Sequence, residues 1–483
     1  MSAITTLEPR IVWEQFEAIT RVPRPSKKEG KIIEFLVDFA RKHQIEYQKD
    51  ATGNVVMRKP ATPGYEGHPG VVLQSHMDMV CEKNSDVEFD FEHDAIRPRI
   101  DGEWVRAEGT TLGADCGIGM AAALAVLIDP TVQHGPVEAL FTVDEETGLT
   151  GAFGLGEGML TGKYLVNLDS EDEGELFIGC AGGIDTLATF RYTEEAAPAD
   201  YLYYTARISD LQGGHSGDDI NKGRVNSNRA LARLLWNTWK RFGLCLNRFD
   251  GGNLRNAIPR EALALFGVPA AHKAEFETFY GQFAADLAAE FHFREPNFRM
   301  TLAEAPQPAT VIDAATQRGL LHALVGLPNG VMEMSFAVPG LVETSTNLAS
   351  VKFEPQDRIV VTTSQRSSVE SAKEAVMQAV EAVFDLAGAE VVHSDGYPGW
   401  TPNPESHLLD VTVGAYRRLF ATEPKVRAIH AGLECGLFLE KYPHLEMVSF
   451  GPTLRGVHSP DERLEIATVP KFWALLTETL RTL

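Results

Sequence analysis

The sequence is short of the residues that build a disulfide framework, and of the runs that build a membrane span. Its five cysteines (Cys81, Cys116, Cys180, Cys245, Cys435) are odd in number and have no CxxC spacing. That points to reduced thiols in the cytosol and away from a secreted, cross-linked scaffold. No stretch approaches the ~18 consecutive apolar residues a transmembrane helix needs. The opening residues, MSAITTLEPRIVWEQF, lack a basic start followed by an apolar core, so no secretory signal is expected. Basic residues are scarce as well: 44 Lys and Arg face 67 Asp and Glu, for a net charge of −23. This disfavours nucleic acid and anionic membrane as partners. Such an excess is mainly a solvated acidic surface, though part of it could be carboxylates gathered around metal; composition does not separate the two. No low-complexity tract or linker run interrupts the chain.

At 483 residues, the chain is long enough for two or three domains, and 44% apolar with 23% charged residues is ordinary for a globular protein. Residues 8–46 carry apolar positions at helical spacing, broken at Pro23 and Pro25, which predicts two helices. GNVVMRK, VVLQSHMDMV, VEALFTVDE and YLVNLDS then read as strands, with a helix at IGMAAALAVLID. This alternation predicts an α/β fold, a central mixed sheet flanked by helices. After about residue 187 the pattern shifts to longer alternating strands and helices near 226–242, 273–291, 315–326 and 369–386. They look like two similar α+β units in tandem. From about 396 the first style returns, with a helix at HLLDVTVGAYRRLF, a strand at EMVSFG and a last helix at VPKFWALLTETLRTL. The expectation is a catalytic domain over 1–187 and 396–483, split by an inserted α+β lid domain over 188–395.

Five short segments carry candidate chemistry. In SHMDM, His76 and Asp78 point to one face of a strand, where a carboxylate can fix the tautomer of a metal-binding imidazole. In GTTLGADCGIG, Asp115 stands among glycines at a helix start, and no phosphate-loop lysine follows. In TVDEETG, the adjacent acids Asp144, Glu145 and Glu146 repel one another without a cation. Of two neighbours there, one can bind metal while the other faces a metal-bound water. NLDSE places Asp169 at another strand end, and GVHSPDE places His458 in a loop. Each has a plain reading by itself: a sheet-end His–Asp hydrogen bond, a helix N-cap, an acidic turn, a polar loop. Yet functional groups of an open α/β sheet gather at the carboxyl ends of its strands. Two histidines and three carboxylates there suit two zinc ions with one carboxylate shared.

Taken in order, SHMDMV, TLGADCGIGMA, DEETG, NLDSED, GGHSG and VHSPDE resemble the signature of the carnosinase/aminoacylase/tripeptidase family of co-catalytic zinc peptidases. One position departs: the residue after Asp115, often Asn in that family, is Cys116. The resemblance implies that His76 and Asp169 hold one zinc, Glu146 and His458 hold the other, and Asp115 bridges them, with a cis peptide after Asp115. It makes Asp78 the orienting partner of His76 and Glu145 the general base and then general acid toward a water held by the metals. In the insert, His215 would contact the substrate carbonyl oxygen, and Asn256 and Arg366 would grip the C-terminal carboxylate. His430 and Glu434 in HAGLECG would line the same cleft.

The implied activity is zinc-dependent hydrolysis of dipeptides, Xaa-His peptides such as carnosine foremost, in a cytoplasmic homodimer. Two zinc ions per subunit are expected, with manganese or cobalt as possible substitutes. The alternatives are a tripeptidase or N-acyl amino acid deacylase of the same family and, further off, a non-catalytic metal- or peptide-binding protein. The presence of Glu145 argues against the last, because binding zinc does not need it.

Overall fold

The structure, a computed structural model, describes residues 3–483. It divides into two compact units, the first made of residues up to Gly179 with Pro402–Ala428 and Leu433–Leu483, the second of Cys180–Thr401 with Ile429–Gly432.

The first unit is built on an eight-stranded sheet. Its order is Glu46–Lys49, Val55–Lys59, Val137–Thr142, Val71–His76, Tyr164–Asn167, Glu446–Ser449, Glu175–Cys180 and Lys425–Ile429. The four strands from Val137–Thr142 to Glu446–Ser449 run parallel. Val71–His76, Val137–Thr142 and Tyr164–Asn167 are buried at every position, as parallel strands covered on both faces are. The antiparallel strands at one edge make the sheet mixed. Helix Ala114–Ile128 is apolar on all sides and buried from Cys116 to Leu127. It packs on helix Arg10–Thr20 and on strand Val71–His76. Gly119 permits its closest approach, because a Cβ there would lie 2.6 Å from the Leu168 carbonyl oxygen. The helices expected near the N-terminus are Arg10–Thr20 and Gly30–His43, and the last helix is Val469–Thr482. A four-stranded sheet of Leu454–Arg455, Arg463–Glu465, Trp104–Arg106 and Arg99–Asp101 completes the unit.

The second unit carries a nine-stranded antiparallel sheet in two halves. One holds Arg299–Ala305, Tyr201–Ser209, Ala262–Pro269 and Cys245–Gly251; the other holds Val342–Glu354, Arg358–Ser367, Gly182–Arg191 and Glu390–His393, with Gly330–Met334 on Val342–Glu354. A single register pair, Gly251 with Val351, joins the halves. Helices Ser227–Phe242 and Lys273–Phe291 pack on the first half. Helix Glu370–Ala387 packs on the second, and Ala314–Gly326 touches strands of both. The unit begins earlier than residue 188: Gly182–Arg191 pairs along its whole length with Arg358–Ser367. Its leading Gly182 and Gly183 do not read as a strand, since glycine is a poor strand former until a partner backbone needs the room. Likewise Tyr397 and Trp400 bridge to Gly183 and Cys180, so the return to the first unit comes after Thr401.

Candidate functional site

The parallel strands of the first unit deliver their acids and imidazoles to one edge of the sheet. His76 is the last residue of Val71–His76, and Asp169 stands two residues beyond Tyr164–Asn167. Asp144 follows Val137–Thr142 in a left-handed conformation (φ 50°) and turns the chain into the short helix Glu145–Gly148. Asp115 opens helix Ala114–Ile128, and the Asp115–Cys116 peptide is cis. His458 comes from a loop after Glu446–Ser449, also at positive φ (60°).

Asp115 stands at the centre. Its Oδ1 lies 3.2 Å from His76 Nε2, and its Oδ2 lies 3.1 Å from His458 Nε2. His76 Nε2 is also 3.3 Å from Asp169 Oδ1, and His458 Nε2 is 3.0 Å from Glu146 Oε2. One carboxylate therefore separates two histidine–carboxylate pairs. The other oxygen of Glu146 is buried without a hydrogen-bond donor, a state that normally costs free energy unless something fills it. Ligand atoms of Asp115, Glu146 and His458 lie within 4.8 Å of one another, as do those of His76, Cys116 and Asp169 and those of His76, Glu145 and Glu146. Imidazole and carboxylate donors at this density fit divalent zinc, manganese or cobalt.

The electrostatics describe the same demand for positive charge. Hydrogen bonds from His458 to Asp115 and Glu146 push that imidazole up to about 11. Burial works to neutralise His76, but Asp169, Asp115 and Asp78 overrule it and raise its pKa. Burial would raise Asp115 too; the two imidazoles outweigh it and hold the carboxyl well below its usual range. Burial lifts Asp169 to about 6 and Glu171 to about 8. Divalent ions bound among these groups would supply that positive charge.

Asp78 is fully buried and ties the surroundings together. One oxygen lies 3.3 Å from His76 Nδ1, and it accepts the Glu145 N–H at 3.1 Å. Its other oxygen accepts from Ser26 Oγ at 2.7 Å and the Glu146 N–H at 3.3 Å. It thus orients a candidate ligand and the turn bearing Glu145. Burial, opposed by His76 and reinforced by Asp169, Glu434 and Glu146, holds the Glu145 carboxyl well above its ordinary value. Glu434 belongs to this unit and is separated from His430 by the unit boundary. Its Oε2 accepts from Gln74 Nε2 (2.6 Å) and Thr142 Oγ1 (2.8 Å), while its Oε1 is buried and unpartnered.

The second unit gathers His215, Asn256, Arg366 and His430. His215 lies on a two-residue ribbon with Ala257, and the Ser216 N–H donates to the Asn256 carbonyl at 2.8 Å. Its Nδ1 accepts the N–H groups of Gly217 and Asp218, both at 3.2 Å. That pattern leaves the proton on Nε2, which becomes a directed donor. Arg366 pairs in register with Ser345 and donates to Tyr397 Oη at 2.9 Å; its Nε is buried without a partner. His430 Nε2 lies 2.7 Å from Ser345 Oγ. Burial, then the charge of Arg366, lowers His430 to about 3, so it is neutral near pH 7. Sequence reading missed Tyr397 and Ser345, as it missed Arg24 and Gln74, because none stands in a recognisable motif. Glu462 was visible inside VHSPDE but carried no assigned task.

The family model described as Peptidase family M20/M25/M40 matches residues 72–482. The chain is 42% identical over 481 residues to the cytosol non-specific dipeptidase of Escherichia coli strain K12, covering 100% of this chain and 99% of that protein. The crystal structure of aminoacylhistidine dipeptidase from Vibrio alginolyticus matches with a TM-score of 0.94 and 44% identity, over 99% of this chain and 98% of that one. The aminopeptidase PepT from Bacillus cereus, at a TM-score of 0.57 and 17% identity over 99% of each chain, is similar in fold alone.

Proposed function

The chain belongs to peptidase family M20/M25/M40, and on that premise we propose that it is a cytoplasmic dipeptidase working with two zinc ions. The observation that carries this reading is Asp115, whose two oxygens each face a histidine paired with a further carboxylate. His76 and Asp169 would hold one ion, Glu146 and His458 the other, and Asp115 both. Bound there, the ions would polarise the scissile carbonyl and acidify the attacking water. Glu145 would take the proton of that water and pass it to the leaving amine. Asp78 would keep His76 and the Glu145 turn in place. The Nε2–H of His215 would donate to the carbonyl oxygen as negative charge grows there. The planar fork of Arg366, steadied by Tyr397, and Asn256 would take the free carboxylate, with His430 beside Arg366 as a neutral, uncharged wall.

Dipeptides ending in histidine are the proposed substrates, in keeping with the name of the Vibrio alginolyticus relative, whereas the Escherichia coli relative is named for dipeptides without a stated preference; a homodimer is the proposed assembly. A zinc-replete assay against carnosine, other dipeptides, a tripeptide series and N-acetyl amino acids tests the assignment. Release of free histidine from Xaa-His dipeptides is the expected result. Hydrolysis confined to tripeptides or to N-acyl amino acids would replace it with one of those activities.

A further inference from the structure

Glu462 stands four residues after His458 and is 2% exposed. Its carboxylate accepts four consecutive backbone N–H groups. Oε2 takes those of Leu112 (2.7 Å) and Gly113 (2.9 Å); Oε1 takes those of Ala114 (2.8 Å) and Asp115 (3.3 Å). A helix N-cap usually satisfies one such donor from its own neighbourhood. Here one side chain, 350 residues along the chain from Leu112, satisfies the whole turn that leads into Asp115.

The same turn is held from its other side. Arg24, also 2% exposed, donates to the Gly113 carbonyl through Nη2. Its Nη1 donates to the carbonyls of Met77 (3.1 Å) and Asp78 (2.6 Å). Gly113 is thus held at its N–H by an anion and at its carbonyl by a cation, one on each of the two peptide groups that flank its Cα. Gly113 has φ +68°, and a Cβ there would lie 2.6 Å from Arg24 Nη2 and 2.8 Å from Met79 Sδ. Neither charge touches a candidate ligand side chain. Each instead fixes the backbone beside one.

We propose that Glu462 and Arg24 are positioning residues that set the spacing of the metal ligands. The loop supplying His458 also supplies, through Glu462, the anchor of the Asp115 backbone, so the separation of these two ligands is fixed by one short segment. Arg24 ties that anchored turn to the strand end bearing His76 and Asp78. Three segments distant in sequence, 76–78, 113–115 and 458–462, are locked by two buried charges that balance each other. A carboxylate is required, since it offers four lone-pair directions to four donors. Glutamine would turn an amide NH2 toward two N–H groups. The inference rests on the reading of Asp115 as a ligand shared by two ions.

The test compares E462Q, R24K and D115N with the parent protein. Zinc affinity is measured by competition with a chromogenic chelator, alongside kcat, KM and circular dichroism. E462Q should keep a folded spectrum, bind zinc at least tenfold more weakly (about 1.4 kcal/mol) and lose at least tenfold in kcat with KM changed less than threefold. R24K should move the same quantities in the same direction, and it decides the matter alone if E462Q is recovered unfolded. A residue that only supports the fold would lower the unfolding midpoint and leave zinc affinity intact. Folded E462Q and R24K with zinc affinity and kcat within twofold of the parent would overturn the proposal. D115N separates the two levels: if it retains both ions, the shared-ligand reading fails first and takes this inference with it.

Discussion

At the scale of single residues, two carboxylates with adjoining numbers are given different work by where the chain turns. Glu146 sits 3.0 Å from His458 Nε2, whereas Glu145 has no such partner and is lifted in pKa by burial. Replacing Glu145 by Gln should lower kcat by about 10²–10⁴-fold, the usual worth of a general acid–base group, while elemental analysis finds the metal content of the parent. His430 makes a prediction about pH. Its folded pKa of about 3 lies below the ordinary 6.5. Between those values the unfolded chain binds a proton that the folded chain refuses, so this residue removes stability as pH falls from 6.5 toward 3. H430Q should therefore flatten the acid limb of stability against pH, measured by urea unfolding, while the slope above pH 7.5 stays that of the parent. His76, Asp115, Glu146, Asp169 and His458 stand out in the sequence as a set, through their places at strand ends and the motifs shared with a known family, although each alone has a plain reading. Arg24 does not stand out, because its work is done on backbone carbonyls, which leave no trace in residue identity.

At the scale of elements, helix Ala114–Ile128 is the piece on which the candidate centre rests. Its first turn carries Asp115, and it is buried along almost its whole length against helix Arg10–Thr20 and strand Val71–His76. Leu124 is fully buried in it. L124A should cost about 2–5 kcal/mol of stability, by lost burial and the cavity left behind, read as a lower unfolding midpoint. Because Leu124 is more than two helical turns from Asp115, kcat at a temperature where the variant is folded should stay within about threefold of the parent. This helix and the strands around it were legible from their largely apolar composition and the alternation of strand and helix. Strands Glu175–Cys180, Gly182–Arg191 and Lys425–Ile429 were not. Gly182–Arg191 opens on two glycines and keeps Leu187 exposed, and Lys425–Ile429 has no buried position. Their pairing comes from neighbouring backbones rather than from an amphipathic pattern of their own.

At the scale of the whole molecule, the proposed chemistry depends on ions that protein groups alone do not replace. Dialysis against a strong chelator should abolish dipeptide hydrolysis, and zinc, manganese or cobalt should restore it, with the order of recovery set by the ligand set. The same treatment should lower the thermal midpoint, since ions that bind only the folded chain stabilise it by mass action. Unchanged activity and midpoint after verified removal of metal would leave the acidic cluster without the role given to it. Analytical ultracentrifugation should find a homodimer; a monomer at assay concentration would remove that part of the proposal.

The sequence by itself determined the α/β character of the first unit and the residue types offered at the candidate centre. These follow from local rules: periodicity, burial pattern and the narrow chemistry of metal ligands. The tertiary structure alone decided which groups meet. It set His458 against the far oxygen of Asp115, 343 residues away along the chain. It put Glu434 among Gln74 and Thr142, and it turned Glu462 from one more acid in a loop motif into the acceptor of four backbone donors. Such meetings depend on how strands and loops distant in the chain pack together, and no local pattern records them.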